Sequence, residues 1–151
     1  MESGFTFNAR RVVTSDAVDN SILADGEAPD AITLNGCRIV RLWQTATVPE
    51  RLPVSADVTA NSLGPMPNPF RGTRFYTAEL PAGARIPLHR ADQIDYIVVI
   101  KGRITLVLEH SELELGVGET LVQCGNMHGW ENRADEPCVI AVVAVGAQPA
   151  G

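Results

Sequence analysis

Short segments in which apolar and polar residues alternate recur along this chain, and most are rich in β-branched and aromatic residues. Glycine, proline, asparagine or aspartate separates them, and Lys101–Gly102 is typical of a hairpin turn. No stretch has the helical period of about 3.6 residues, although residues 44–51 are compatible with one helical turn limited by Pro49. Strands are predicted at residues 11–14, 37–43, 74–80, 95–100, 103–108, 112–115, 119–122 and 139–145. The pattern therefore predicts an all-β fold, either a sandwich or a barrel.

The length of the chain, 151 residues with 45% hydrophobic residues, fits one domain with its own core. We expect residues 73–146 to form the barrel core and residues 1–72 to contribute N-terminal strands and a proline-rich segment to the same domain. That segment, residues 49–72, holds few strand formers. It is expected to be extended, either as a lid over the barrel mouth or as an arm that reaches a partner subunit.

The net charge of −6 is spread along the chain without a basic cluster, which argues against nucleic acid and membranes as partners. The three cysteines, Cys37, Cys124 and Cys138, have neither the even count of a disulfide framework nor the spacing of a zinc finger. The N-terminus lacks the regions of a secretory signal, and the apolar run at residues 138–147 is too short to span a bilayer. We therefore expect a cytoplasmic protein with a small-molecule substrate.

Two histidines of the three in the chain stand within patterned stretches, each at the end or the beginning of a predicted strand. Fixed spacings join them to glycines and polar residues in two motifs: Gly83, His89, Asp95 and Gly102, then Gly118, Gly125, His128 and Asn132. These motifs resemble the paired motifs of the cupins over about the C-terminal half of the chain. The resemblance implies a double-stranded β-helix, or jelly-roll, barrel, a divalent metal inside it and, commonly, a homodimer.

The chain departs from the cupin pattern at several ligand positions. Ala91 replaces the second histidine of the first motif, Asp95 stands for its glutamate, and the proline of the second motif is missing. The resemblance then leaves His89, Asp95 and His128 as a facial triad with open coordination positions. Gln93, which shares a strand face with Asp95, or Asp92 would supply a fourth ligand. The motif does not choose among zinc, iron, manganese and nickel.

Asp95 lies in an apolar stretch, so a buried carboxylate there must be paired, protonated or bound to a metal. The alternative to a ligand is a structural salt bridge with Arg85 or Arg103. The sequence does not favour either the metal ligand or the salt bridge as the role of Asp95.

Polar and aromatic side chains near the motifs are further candidates, with catalytic roles for Gln123, Tyr96 and Trp130 and substrate binding by Arg74, Arg85 and Trp130. An arginine that faces the interior would clamp a carboxylate. Trp130 either walls a hydrophobic pocket or is a structural core residue. Cys124 is a soft ligand or, more simply, a small core residue. Asn132 is expected to fix a turn by hydrogen bonding.

A divalent metal with open positions polarises carboxylate or carbonyl oxygens. This chemistry supports a metal-dependent lyase, such as a decarboxylase, dehydratase or isomerase, acting on a small carboxylated acid. The resemblance to single-domain cupins implies that this acid is of an aromatic or polyketide type. One alternative is a non-heme iron dioxygenase. Another is a metal-free cupin that binds a small ligand without catalysis, which the missing second histidine favours.

Overall fold

The computed structural model describes residues 10–23, 30–52 and 70–149. In these residues the chain forms strands and no helix, so the all-β prediction is confirmed and the helical turn at residues 44–51 is wrong: Gln44 and Thr45 end a strand. The strands are β1 (Val13–Ser15), β2 (Ser21–Leu23), β3 (Ile32–Leu34), β4 (Cys37–Thr45), β5 (Thr73–Leu80), β6 (Arg85–His89), β7 (Gln93–Lys101), β8 (Arg103–Val107), β9 (Glu112–Gly116), β10 (Thr120–Cys124), β11 (His128–Glu131) and β12 (Cys138–Gly146).

The main strands form two antiparallel sheets. The larger has the order β10-β7-β12-β5-β4-β3, and the smaller has the order β6-β11-β8-β9. A separate hairpin pairs β1 with β2. The chain alternates between the two main sheets, since β6 and β11 of the smaller sheet are each flanked in sequence by strands of the larger one. The inner faces of two such sheets can enclose a ligand.

The core lies between the two main sheets and takes alternate residues of each strand. Leu80, Val99 and Val142 point into it from the larger sheet, and Ile104 and Trp130 from the smaller one. Valine and isoleucine fit this pleated, buried surface, which explains why the predicted strands coincide with the β-branched segments.

The predicted hairpin at Lys101–Gly102 connects β7 to β8. Gly102 has a φ of +72°, and a Cβ there would lie 2.6 Å from the Pro137 carbonyl oxygen. Only glycine meets both the positive φ and this close approach to the backbone before β12.

The predicted lid or arm falls mostly on residues 53–69, which lie outside the described residues. Its flanks are described and lie together: Thr47 and Arg71 form an isolated bridge, and the hydroxyls of Thr45 and Thr73 are 2.7 Å apart. In the described ranges there is no helix long and apolar enough to cross a bilayer.

Candidate functional site

A cavity of about 170 Å³ opens between the two main sheets. Most of its wall is aliphatic, including Ala78, Leu80, Ile97, Ile140 and Val142. Polar groups converge on it from both sheets, and these are His89, Gln93, Asp95, Gln123 and His128, with Trp130 beside them. A mostly apolar cavity with a few convergent polar groups is the usual form of a small-molecule site.

The two histidines stand directly opposite each other on β6 and β11. Their ring centroids are 4.4 Å apart with the planes tilted by 59°. Pairing is irregular immediately beyond them, because His128 pairs with His89 while Trp130 already pairs with Ile86. The extra residue on β6 falls at Pro87 and Leu88, where a bulge accommodates a proline that cannot donate to the ladder.

Both imidazoles are oriented by main-chain carbonyls. His89 Nδ1 lies 2.9 Å from the Pro87 carbonyl oxygen, and His128 Nδ1 lies 2.9 Å from that of Asn126. Because a carbonyl oxygen only accepts, Nδ1 carries the hydrogen in each ring, which leaves the Nε2 lone pair of each neutral ring available to a ligand. Backbone anchoring of Nδ1 is the usual support of a metal-binding histidine.

Burial lowers the pKa of His128, and the positive charge that His89 can carry lowers it further, against the opposing effects of the Asn126 hydrogen bond and Asp95. The His128 ring is 5% exposed, whereas His89 is exposed at the cavity mouth. His128 is therefore the inner member of the pair, and its burial favours the neutral imidazole.

Asp95 and two glutamines line the cavity on the larger sheet. Gln93 Nε2 donates to Asp95 Oδ1 at 2.6 Å, as expected for residues that share a strand face. Burial raises the pKa of the Asp95 carboxyl, against the lowering effects of Gln93, His128, Arg74 and His89.

Gln123 pairs with Asp95 across β10 and β7, and its Oε1 is buried without a hydrogen-bond partner in the described residues. The structure thus brings His89, Gln93, Asp95, Gln123 and His128 to one cavity.

The donor set suits a divalent cation in its chemistry. It offers two imidazole nitrogens, a carboxylate and an unpartnered glutamine oxygen. However, within residues 10–23, 30–52 and 70–149, no three side chains of histidine, cysteine, aspartate or glutamate are gathered closely enough to hold a metal ion. The Asp95 carboxylate hydrogen-bonds to Gln93 instead. The three-ligand triad therefore stays a prediction.

Trp130 lines the site, and Asn132 fixes the backbone that follows β11. Trp130 is 6% exposed, lines the cavity and lies edge-on to His128 at 6.3 Å, so it is both a core residue and part of the wall. Asn132 Nδ2 donates to the carbonyl oxygens of Leu80 and Glu136, and its Oδ1 accepts from the Ala134 amide. The predicted role of Asn132 in fixing a turn is confirmed.

Three of the predicted positions are corrected. Tyr96 is 48% exposed and points to the outer face of β7, because it follows the inward Asp95 by one residue. Arg85 has a side chain that is 78% exposed and lies 3.3 Å from Glu131, so it does not reach the cavity. Cys124 is exposed and is not a core residue.

Of the two arginines predicted to bind substrate, Arg74 faces the inner side of the larger sheet. It alternates with the inward residues Tyr76 and Ala78 on β5 and pairs with Gln44 across β4. Gln44 was missed by the sequence reasoning, because a register shift between Arg41 and Trp43 changes which β4 residues point inward. No local sequence signal marks that shift.

Comparison with known proteins agrees with this geometry. The family model Cupin_2 (Cupin domain) matches residues 76–145, from β5 to β12. The Schizosaccharomyces pombe Cnp3 cupin domain superimposes with a TM-score of 0.58 at 11% identity, over 92% of this chain and 88% of that chain. A Cupin 2 conserved barrel domain protein from Salinispora arenicola gives 0.54 at 17% identity, over 78% of this chain and 82% of that one.

A sequence relative is similar over part of its length. Phomopsin biosynthesis cluster protein D of Diaporthe leptostromiformis is 34% identical over 97 residues, which are 61% of this chain and 51% of that protein. The chain therefore spans about half the length of this curated relative. The all-β barrel, the two motifs and the family match together show a cupin domain at residues 76–145, within a chain that has the cupin-type fold.

Proposed function

We propose that this cupin is a metal-dependent lyase that holds a divalent cation through Nε2 of His89 and His128. The observation that carries the proposal is the facing pair of imidazoles, 4.4 Å between centroids, with both Nδ1 atoms committed to main-chain carbonyls. Two neutral imidazoles held in this way are suited to binding zinc, iron, manganese or nickel. Asp95 is proposed as the third ligand and Gln93 as a fourth.

A bound divalent metal would supply Lewis-acid polarisation of a substrate oxygen. Two residues of the chain would bind the substrate and shield it from water. Gln123 Oε1, buried and without a partner, would accept a hydrogen bond from a substrate hydroxyl or amide. The face of Trp130 would exclude water from one side of the substrate.

The substrate in this proposal is a small carboxylated or aromatic acid. A cavity of about 170 Å³ is close in size to an engineered cavity of about 150 Å³ that accommodates benzene, so one ring or a short chain fits. The relative named for phomopsin biosynthesis supports a substrate drawn from natural-product metabolism. Both points are inferences about this chain.

A second candidate, a cupin that binds a small ligand without a metal, has one observation in its favour. Ala91 replaces a ligand of the cupin motif, and three acidic, histidine or cysteine side chains do not converge in the described ranges. In that case the apolar cavity itself would bind the ligand.

Metal content decides between the two candidates. Wild-type protein would be loaded separately with zinc, iron, manganese and nickel, dialysed and assayed by elemental mass spectrometry, beside His89→Ala and His128→Ala. His110→Ala is the matched control, because His110 is the third histidine and lies in an exposed turn between β8 and β9. Near-stoichiometric metal in the wild type and the control, with loss in both site variants, is the expected result.

Turnover would then be assayed with a panel of small carboxylic and aromatic acids, following loss of carbon dioxide or water. Metal that binds without any turnover would contradict the lyase assignment. If the wild-type protein takes up none of the four metals, the metal site is contradicted. The second candidate, a metal-free cupin that binds a small ligand, then remains.

A further inference from the structure

The cavity between the two sheets changes character along the direction of the strands. Its polar groups gather around Asp95. The strand register carries the level of Asp95 through Ala144 on β12 to Arg74 on β5, and Leu80, a wall residue of the same cavity, lies six residues further along β5. At about 3.3 Å per residue, the polar end and the level of Leu80 are about 20 Å apart along the strands.

The end of the cavity away from Asp95 is aliphatic. Its wall comes from β3, β4, β5 and β6 and consists of Leu34, Cys37, Ile39, Ala78, Leu80 and Ile86, with the exposed Asn35 in the turn beside them. The Cys37 thiol lies 3.7 Å from the Asn35 carbonyl oxygen, and burial raises its pKa, so it is uncharged at neutral pH. A ligand group that fills this end must therefore be apolar.

The edge strand β3 leaves this aliphatic end open to solvent. Leu34 is 56% exposed although it lines the cavity. Ile32, two residues earlier on β3, pairs with the wall residue Ile39 and is 42% exposed. Edge strands commonly carry charged side chains that discourage further contacts, but β3 carries none. The apolar wall thus continues past the closed part of the cavity along the inner side of β3.

The shape of the cavity favours a chain over a group of rings. Its volume of about 170 Å³ would hold one ring if the space were compact. Because the same volume extends from Asp95 to Leu80, it is narrow. A narrow apolar passage with polar groups at one end and solvent at the other is complementary to an unbranched chain with one polar head.

We infer that the substrate is an amphipathic acid with an unbranched alkyl chain. Its acid head lies at His89, His128 and Asp95, and its chain passes Ile39 towards the rim of the cavity at Leu34. Burial of the chain supplies affinity, at about fourfold for each CH₂ group removed from water. This assignment of substrate class rests on the proposed function, since a bound metal is what holds the acid beside the Asp95 carboxylate.

Binding of straight-chain alcohols to metal-free protein tests this apolar passage. Without a metal, Nε2 of each neutral imidazole and the Asp95 carboxylate are acceptors, so an alcohol hydroxyl can take the place of the acid head. Radiolabelled octanol, decanol and dodecanol would be measured by equilibrium dialysis with wild type and Leu34→Asp. Leu113→Asp is the matched control, because Leu113 is a comparably exposed leucine on β9 that lies outside the cavity wall.

The wild type is expected to bind one alcohol per chain, with affinity that rises about tenfold for each pair of carbons added. Leu34→Asp should weaken dodecanol about tenfold and leave octanol unchanged, because the shorter chain ends inside the cavity. Leu113→Asp should match the wild type. The octane diol with a hydroxyl at each end should bind at least about tenfold more weakly than octanol, because its second hydroxyl would meet the aliphatic wall.

Four results would overturn the inference. The first is a wild type that binds none of the alcohols, and the second is equal affinity for all three. The third is a diol that binds as tightly as octanol, a comparison that requires no variant to fold. The fourth is dodecanol binding that is the same in wild type and Leu34→Asp, which would assign the binding to another apolar surface.

The apolar passage and the proposed function can fail separately. The alcohols are uncharged and the protein is metal-free, so the titration does not depend on metal uptake. Chain-length dependence in a protein that takes up no metal would leave the passage and remove the metal-dependent lyase. Metal uptake and turnover in a protein whose alcohol binding is indifferent to chain length would leave the lyase and remove the alkyl-chain substrate.

Discussion

His89 and His128 are direct cross-strand partners with ring centroids 4.4 Å apart, although the strands that carry them lose regular pairing one residue further on. The same bulge that interrupts the pairing places the Pro87 carbonyl within 2.9 Å of His89 Nδ1. The irregularity therefore orients one of the two proposed ligands. Bulges commonly re-aim side chains beside functional sites in this way.

Gly129→Ala is expected to disturb this pair. A Cβ at Gly129 would lie 2.7 Å from the Ile86 carbonyl oxygen and 3.2 Å from the Leu88 amide nitrogen, and these backbone atoms cannot rotate away. We expect a loss of about 1–3 kcal/mol in the free energy of unfolding, measured by urea denaturation, together with weaker metal binding. Gly116→Ala is the control, because its Cβ would meet only Glu119 Oε2, at 3.6 Å. Equal behaviour of the two variants would contradict the prediction.

Asn132→Ala should be strongly destabilising. The Asn132 side chain is 2% exposed and makes three hydrogen bonds to backbone groups, at 3.0 Å to Leu80, 2.8 Å to Glu136 and 3.0 Å to Ala134. Their loss leaves buried groups unpaired, and we expect a cost of about 3 kcal/mol in chemical denaturation. Asn132→Asp should not rescue it, because a carboxylate cannot donate to the two carbonyls. A cost below about 1 kcal/mol would show that water replaces the amide.

The stability of the fold should fall at high pH through Tyr76. Burial, helped by the charge of Asp95, raises the pKa of the Tyr76 phenol to about 12, against about 10 in an unfolded chain. The phenol is neutral in both states below pH 10, so its contribution is complete there and is lost as the pH rises from about 10 to 12. The loss should reach about 2–3 kcal/mol at the top of that range.

Two variants separate Tyr76 from the other groups that titrate at high pH. Tyr76→Phe should lose less stability than wild type in urea denaturation between pH 9 and 11. Tyr96→Phe leaves Tyr76 as the single tyrosine, and its absorbance at 295 nm should then titrate above pH 11. Titration of that tyrosine near pH 10 in folded protein would contradict the burial.

The thiols should divide into one reactive group and two protected groups. Cys124 is exposed, whereas Cys37 and Cys138 are buried. Burial raises the pKa of Cys37, and burial with the nearby Glu136 raises the pKa of Cys138 to about 11. A thiol reagent at pH 8 should label one cysteine in native protein and three after denaturation. Native Cys124→Ser that still reacts rapidly would refute this division.

The predicted homodimer has a candidate surface on the outer face of the larger sheet. Phe75, Val143, Tyr96 and Val122 form one cross-strand row there and are each at least 38% exposed. Two copies of a chain with a net charge of −6 would associate most readily through an uncharged surface of this kind. The double variant Tyr96→Lys with Val122→Lys should therefore be monomeric in sedimentation velocity. Leu113→Lys, a comparably exposed apolar position on β9, should leave the association unchanged. A monomeric wild type would end the proposal.

The sequence alone determined the class of fold and the approximate strands, because alternation and turn residues act over a few neighbours. The motif spacing also predicted that His89, His128 and Asp95 share one site, and all three line the same cavity. The sequence was also sufficient to predict that Tyr96 points away from the cavity. Tyr96 directly follows Asp95, and successive residues on a strand point to opposite sides.

The tertiary structure decided which polar residues share an interior. Arg74 and Arg85 both lie on strands, yet Arg74 faces the inner side of the larger sheet, whereas Arg85 is exposed beside Glu131. Gln44 faces the same side of the sheet as Arg74 because of a register shift in β4, and a bulge in β6 orients His89. Bulges and strand registers are set by pairing between segments distant in the chain, and one residue of slip moves every following side chain to the other face, so no local pattern predicts them.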